Sequence, residues 1–159
     1  DHLGYWTISV GHLIRENEKE ELMQPISKER AEELKLKPIA KWKGSAAAGV
    51  DPSMMGIGPV PSTNKLLNRL LLDINDIGLI EINEAFAAQT IGVMKELELN
   101  HKKVNVNGGA IALGHPLGCS GARIFTTLLH EMKRKDIRYG LATLCVGVGQ
   151  GISTVVELM

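Results

Sequence analysis

The stretch YGLATLCVGVGQGISTVVEL, residues 139–158, decides the fold. Tyr139 to Val146 and Ile152 to Leu158 are two runs with the β-branched, aliphatic content of strands. The link Gly147-Val148-Gly149-Gln150-Gly151 is too short for the crossover that a parallel pair needs. The two runs therefore form an antiparallel hairpin. Upstream, strand and helix patterns alternate. Leu79, Ile80 and Ile82 make Gly78 to Ile82 a short apolar strand, and Asn83 opens a helix through about Leu97. Lys103 to Asn107, with Val104 and Val106 alternating, reads as another strand. The helix that follows, from about Gly121 to Arg134, buries Ala122, Phe125, Leu128, Leu129 and Met132. This order specifies an α/β fold: a mixed β-sheet with helices on its faces and a C-terminal antiparallel hairpin. Ligands of such sheets bind at the carboxyl ends of strands.

Towards the N-terminus, Ser62 or Thr63 caps a helix whose apolar face is Leu66, Leu67, Leu70 and Leu71. The segment before it, Pro38 to Val50, begins strand-like and passes into small residues at Gly44 to Gly49, and a Pro- and Gly-rich loop follows from Asp51 to Pro61. Ser27 caps a further helix to about Leu36, with Ala31 and Leu34 inward and Lys35 near its C-terminus. Residues 1–25 show no clear period and are unassigned: an incomplete first strand or an unrelated segment. Residues 26–159 are one domain.

Composition narrows the function. The 159 residues carry 18 Lys plus Arg against 18 Asp plus Glu, so no net field draws nucleic acid or an anionic lipid surface. No apolar run approaches the roughly 20 residues that span a bilayer. Cys119 and Cys145 form no CxxC pair and have no His ladder beside them, which argues against a metal site or a disulfide framework and for a reducing, cytoplasmic setting.

Glycine crowds into two loops. Gly109 to Gly114 has the GxxxxG spacing of a phosphate loop, but His115 and Pro116 stand where Lys and Ser or Thr are required. Gly147, Gly149 and Gly151 precede a strand rather than a helix, so no helix N-terminus receives a pyrophosphate. Backbone amides that approach a ligand closely remain, and oxyanion recognition is one such use. Beside these loops lie Asn83, His115 and Cys145. A histidine takes a proton from a thiol or stabilises an oxyanion, a cysteine acts as base or nucleophile, and an asparagine holds water or an oxyanion. Structural readings compete: Asn83 as a helix cap, Cys145 as a small buried hydrophobe, Cys119 as packing.

Four stretches, NEAFAAQ (83–89), NVNGGAIALGHPLGCSGARI (105–124), CVGVGQG (145–151) and DPSMMGIGPVPST (51–63), together resemble the thiolase family of acyl-CoA acetyltransferases. The resemblance covers about residues 26–159 and corresponds to the C-terminal half of a thiolase. It implies a βαβαβαββ half-domain that docks on a similar N-terminal half or assembles as a homo-oligomer. It implies Claisen condensation or thiolysis of short acyl-CoA thioesters such as acetyl-CoA and acetoacetyl-CoA, with CoA thioesters as substrates and no cofactor or metal. In the matching positions Asn83 holds a water that forms an oxyanion hole with His115, and His115 also activates the nucleophilic cysteine. Cys145 is the acid/base that moves the α-proton, and the Gly147 amide belongs to a second oxyanion hole. Met55, Ala85 and Phe86 line the acyl or pantetheine site.

Two departures matter. The acyl-carrying cysteine of the family belongs to its N-terminal half, and Cys119 lies in the wrong motif to replace it. Val148 occupies a position where the family usually has glycine, and a β-branched side chain resists φ > 0 there. The alternative reading is a non-catalytic or decayed half that serves as a folded or oligomerising module.

Overall fold

The hairpin organises the sheet. In the computed structural model, which describes residues 32–35 and 37–159, β3 (Tyr139–Val146) and β4 (Gln150–Leu158) pair antiparallel from Tyr139↔Glu157 to Val146↔Gln150. The strands thus run closer to the turn than the sequence implies, and only Gly147 to Gly149 connect them. β1 (Ala40–Gly49) pairs antiparallel with β4, with a bulge between Trp42 and Gly44, and β2 (Leu79–Ile82) pairs parallel with β3. The result is a mixed four-stranded sheet of order β1-β4-β3-β2 among the described residues.

Both faces are covered. Helix α1 (Pro59–Leu70) and helix α2 (Ala87–Glu96) lie over a cluster of Ala46, Leu66, Leu67, Ile80, Ile82, Val93, Leu141 and Val155. A short helix α3 (Ala110–Leu113) precedes the long α4 (Ser120–Lys135), whose Ile124, Leu128 and Met132 pack on Leu79, Ala142 and Val156 of the opposite face. Adjacent residues of one strand enter opposite clusters, as Leu79 and Ile80 do, because side chains alternate across a pleated sheet. No helix among the described residues is long and apolar enough to cross a membrane.

Several boundaries differ from the sequence reading, each for a local reason. β1 continues through its small residues to Gly49; they are small because α1 crosses here, and the bare face of Gly44 meets Leu66 and Leu70. Part of the loop expected from Asp51 to Pro61 is a 3₁₀ turn, Pro52–Ile57, capped by the Asp51 carboxylate, which accepts from the Ser53 N–H at 2.8 Å. α1 starts at Pro59, so Ser62 and Thr63 are not caps: both are buried, and their hydroxyls meet Ser153 Oγ at 2.8 and 2.9 Å. Leu71 leaves the expected apolar face because it terminates α1 in a left-handed conformation and is 92% exposed. α2 begins four residues after Asn83, which continues extended from β2 and donates its N–H to the Thr143 carbonyl at 3.0 Å. Asn83 is therefore not a helix cap.

Lys103 to Asn107 is not a strand. Val104 makes one parallel bridge to Ile80, and Asn105 then turns away at φ +45°. In the α4 stripe Ile124 is fully buried, while Ala122, Phe125 and Leu129 are half-buried. Ser27, Ala31 and residues 1–25 lie outside the described residues, and Leu34, expected inward, is exposed.

Backbone meets backbone where the Pro52–Ile57 turn rests on the hairpin: a Cβ on Gly151 would overlap the carbonyl group of Gly58. Overpacking that cannot be relieved by a side-chain rotation is strongly destabilising. Gly151→Ala should lower stability by about 3 kcal/mol in urea titration; a loss below the scatter of surface substitutions would show that the turn is not seated there.

Candidate functional site

The carboxyl end of β2 is held from one side by Asn105. Its Oδ1 accepts from the Ile82 N–H at 2.8 Å and its Nδ2 donates to the Ile82 carbonyl at 2.9 Å. The side-chain amide thereby takes the place of a strand neighbour. Asn105 Nδ2 also donates to Glu84 Oε1 at 2.9 Å, and the other Glu84 oxygen accepts from the Ile111 N–H at 2.9 Å. These bonds join the Asn83–Phe86 segment to the start of α3. Gly109 is required in that join, since a Cβ would overlap the Glu84 carboxylate.

With α3 fixed, the chain returns over the strand end and sets His115 on Asn83. Asn83 is fully buried, and its Nδ2 lies 3.2 Å from His115 Nε2. His115 Nδ1 lies 2.5 Å from Ser120 Oγ, and the Ser120 hydroxyl donates to the Pro116 carbonyl at 3.1 Å. Proton counting then orders the chain. The arrangement in which the Asn83 NH₂ group donates to Nε2 puts the ring proton on Nδ1, with the Ser120 oxygen accepting it and the Ser120 hydroxyl donating to Pro116. In the neutral ring Nε2 is then a bare acceptor, which Asn83 meets with its NH₂ group. The Asn83 Oδ1 is buried without a hydrogen-bond partner among the described residues.

Cys145 sits near the end of β3, opposite Gly151, two residues past the Thr143 carbonyl that receives the Asn83 N–H. It is buried, and that burial pushes its thiol pKa up against the opposing pull of its own backbone. No hydrogen bond joins its sulfur to Asn83 or His115. Gly147 is exposed in the turn, and a Cβ there would stand in open space. The left-handed positions are Val148, at φ +63°, and Gly149, at φ +83°. Val148 accepts the conformation its branching disfavours, with its side chain in solvent. Ala85 is half-buried beside Asn83, and Phe86 is 61% exposed just before α2. Met55 is half-buried in the 3₁₀ turn, whose Gly56 abuts Gln89 of α2. The structure thus links Asn83 and His115 directly, with Ala85 and Phe86 on the same segment as Asn83, while Cys145, Gly147 and Met55 belong to the neighbouring hairpin and the turn packed on it.

Residue-by-residue sequence reading does not find Ser120, Asn105 or Glu84. The available signal for Ser120 is a hydroxyl five positions beyond the histidine, where a helix starts. Also unanticipated is a charged pair beneath Asn83: Glu81, with its side chain 3% exposed, lies 3.4 Å from Arg123 Nη1. Burial pushes the Glu81 pKa up to about 7, Arg123 opposes that rise, and the like charges of Glu84 and Glu131 add to it. Glu131 is the contrary case, held at about 2 by hydrogen bonds from Arg134 and Asn107.

Residues 36–158 match the family described as "Thiolase, C-terminal domain". Over 154 residues the chain is 55% identical to the 3-ketoacyl-CoA thiolase of Marinomonas sp. (strain MWYL1), covering 95% of this chain and 39% of that protein. The crystal structure of the Bacillus anthracis acetyl-CoA acetyltransferase is similar at 50% identity and a TM-score of 0.82, covering 84% of this chain and 34% of that one. The human mitochondrial 3-ketoacyl-CoA thiolase structure is similar at 44% identity and the same TM-score of 0.82, over 84% of this chain and 34% of that one. The chain spans about two fifths of the length of the curated relatives it matches.

Glu81 has a measurable pH signature. Its folded pKa of about 7 lies above the ordinary 4.5, so the folded state holds a proton that the unfolded state releases. Its stabilising contribution is complete below about pH 4.5 and is lost as pH rises through about 7. The stability of the native chain relative to Glu81→Gln should therefore fall by about 2 kcal/mol between those limits. Parallel pH–stability curves for the two proteins would refute the raised pKa.

Proposed function

The chain belongs to the thiolase family through its C-terminal domain, and from that premise we propose that it supplies the histidine, asparagine and acid/base cysteine of a thiolase active site. The observation that carries this reading is the hydrogen-bonded run Asn83–His115–Ser120–Pro116 at the carboxyl end of β2. Its tautomer leaves Nε2 able to take the proton of an acyl-carrying thiol contributed from outside these residues. Once protonated, the same nitrogen becomes a donor for the thioester oxyanion, beside Asn83 and the water it holds.

In the thiolysis direction, that thiolate attacks the 3-keto carbon of a 3-ketoacyl-CoA. The bond between C2 and C3 breaks and leaves the enolate of acetyl-CoA, which needs one proton. The raised pKa of Cys145 keeps its sulfur protonated at rest and suits it to provide that proton. The thiol of a free CoA then gives its proton to the Cys145 thiolate and attacks the acyl-enzyme thioester; the acyl–sulfur bond breaks, the released thiolate takes back the proton held by His115, and Claisen condensation is the reverse sequence. The Gly147 amide lies in the second oxyanion hole, and Met55, Ala85 and Phe86 line the acyl or pantetheine path. The substrates are acyl-CoA and CoA, with short chains such as acetyl-CoA and acetoacetyl-CoA as the first choice. The partner is an N-terminal thiolase half or a further copy in a homo-oligomer, and the two free thiols suit a cytoplasmic setting.

The strained Val148 favours one second reading. A turn that no longer aims the Gly147 amide would leave a folded or oligomerising module without catalysis.

Supplied with an N-terminal half, the chain should cleave acetoacetyl-CoA with CoA to acetyl-CoA. His115→Ala and Asn83→Ala should each lower kcat by about 10² to 10³. Turnover that survives His115→Ala unchanged would sink the catalytic reading. A stable oligomer without turnover would support the module, and a faster rate with longer 3-ketoacyl chains would move the substrate choice.

A further inference from the structure

The Glu81–Arg123 pair spans the same gap as the Asn83–His115–Ser120 run. Leu79, Glu81 and Asn83 alternate along one line of chain, and Leu79 belongs to the cluster built on α4. Arg123 lies one helical turn beyond Ser120, on the same side of α4. One connection between β2 and the start of α4 therefore runs through Asn83, His115 and Ser120, and a second runs through Glu81 Oε2 and Arg123 Nη1 at 3.4 Å.

Stability alone does not account for the second connection. Desolvating two charges costs as much as their attraction returns, and well-packed apolar side chains of the same volume are commonly as stable or more so. Among the described residues, Arg123 Nε and Nη2 are buried with no partner of their own, and Glu81 is the one side chain that holds the guanidinium. What an ion pair adds over an apolar pair is direction.

We propose that Glu81 and Arg123 are positioning residues, which lock the end of β2 to the first turn of α4 and so hold Asn83, His115 and Ser120 in line with the Nδ1–H tautomer of the imidazole. This rests on the thiolase reading only for its catalytic consequence; the tautomer is a property of the chain itself.

The test uses the 159-residue chain with ¹⁵N-labelled histidine, the His115 signals being identified by their loss in His115→Gln. The native chain should show Nδ1 protonated and Nε2 unprotonated. The double variant Glu81→Leu/Arg123→Met should melt at or above the native temperature, yet shift both nitrogens to the averaged positions of a free imidazole. With the N-terminal half supplied, its kcat should fall about tenfold while KM stays within about twofold, the pattern of lost geometry rather than lost binding. A folded double variant with native nitrogen shifts overturns the proposal, as does a native chain without the Nδ1–H form. Where the double variant does not fold, Arg123→Lys, which keeps the cation and loses the planar fork, should show the same averaging. Failure of both to fold is the result that a purely stabilising pair predicts, and it too overturns the proposal. Absence of turnover in the native pair of halves strikes the thiolase reading, and the nitrogen shifts still decide the positioning role.

Discussion

Two hydrogen bonds from one side-chain amide, Asn105 to the N–H and carbonyl of Ile82, determine how the chain leaves β2. An extended segment at a sheet edge has unpaired backbone groups, and burying them unpaired costs about as much as a lost hydrogen bond each. A second strand would satisfy them but would also continue straight past the site. Asn105 satisfies them from a left-handed residue, so the backbone turns at once and the following segment crosses the strand end. Asparagine suits this position because its amide mimics a peptide group and it tolerates φ > 0 better than most residues. The Glu84 bonds, the placement of α3 and the seating of His115 on Asn83 all follow from that turn.

The same turn explains what sequence reading captured and what it missed. α4 was legible from its periodic apolar stripe, and β2 and the hairpin from short apolar runs bounded by turn residues, because the sheet is covered on both faces. Lys103 to Asn107 has the alternation of a strand, Val104 and Val106, but Asn105 between them takes the place of a strand in its side chain rather than its backbone. Alternation does not distinguish the two. Ser62 and Thr63 failed as caps for a related reason. Their hydroxyls are satisfied by Ser153 across the sheet, a partner 90 and 91 positions away that no local rule can see. That Asn83 and His115 meet was legible from loop context and motif order. Ser120 and Glu81 were not, because one acts through a ring nitrogen and the other through a charge on the far element.

The two buried carboxylates on the α4 face show how environment separates like groups. Glu131 accepts from Arg134, Asn107 and Lys135, and its charge is held down to a pKa of about 2. Glu81 has a single cation with poor geometry, at 3.4 Å, and burial prevails. Solvation decides the difference: the partners of Glu131 sit half in water and lose little hydration, whereas Arg123 and Glu81 are both withdrawn from it. A pair so arranged is a weak stabiliser.

The imidazole relay ends on a backbone carbonyl, and that termination matters for how the ring works. A hydroxyl that ended in solvent could rotate and exchange roles, giving His115 either tautomer. Ser120 is 1% exposed, and its hydroxyl reaches the Pro116 carbonyl at the entry of the helix that Ser120 begins. Nδ1 therefore faces a buried hydroxyl, and Nε2 is the ring nitrogen beside Asn83. The two ring nitrogens thus face different partners, a buried hydroxyl at Nδ1 and a buried side-chain amide at Nε2.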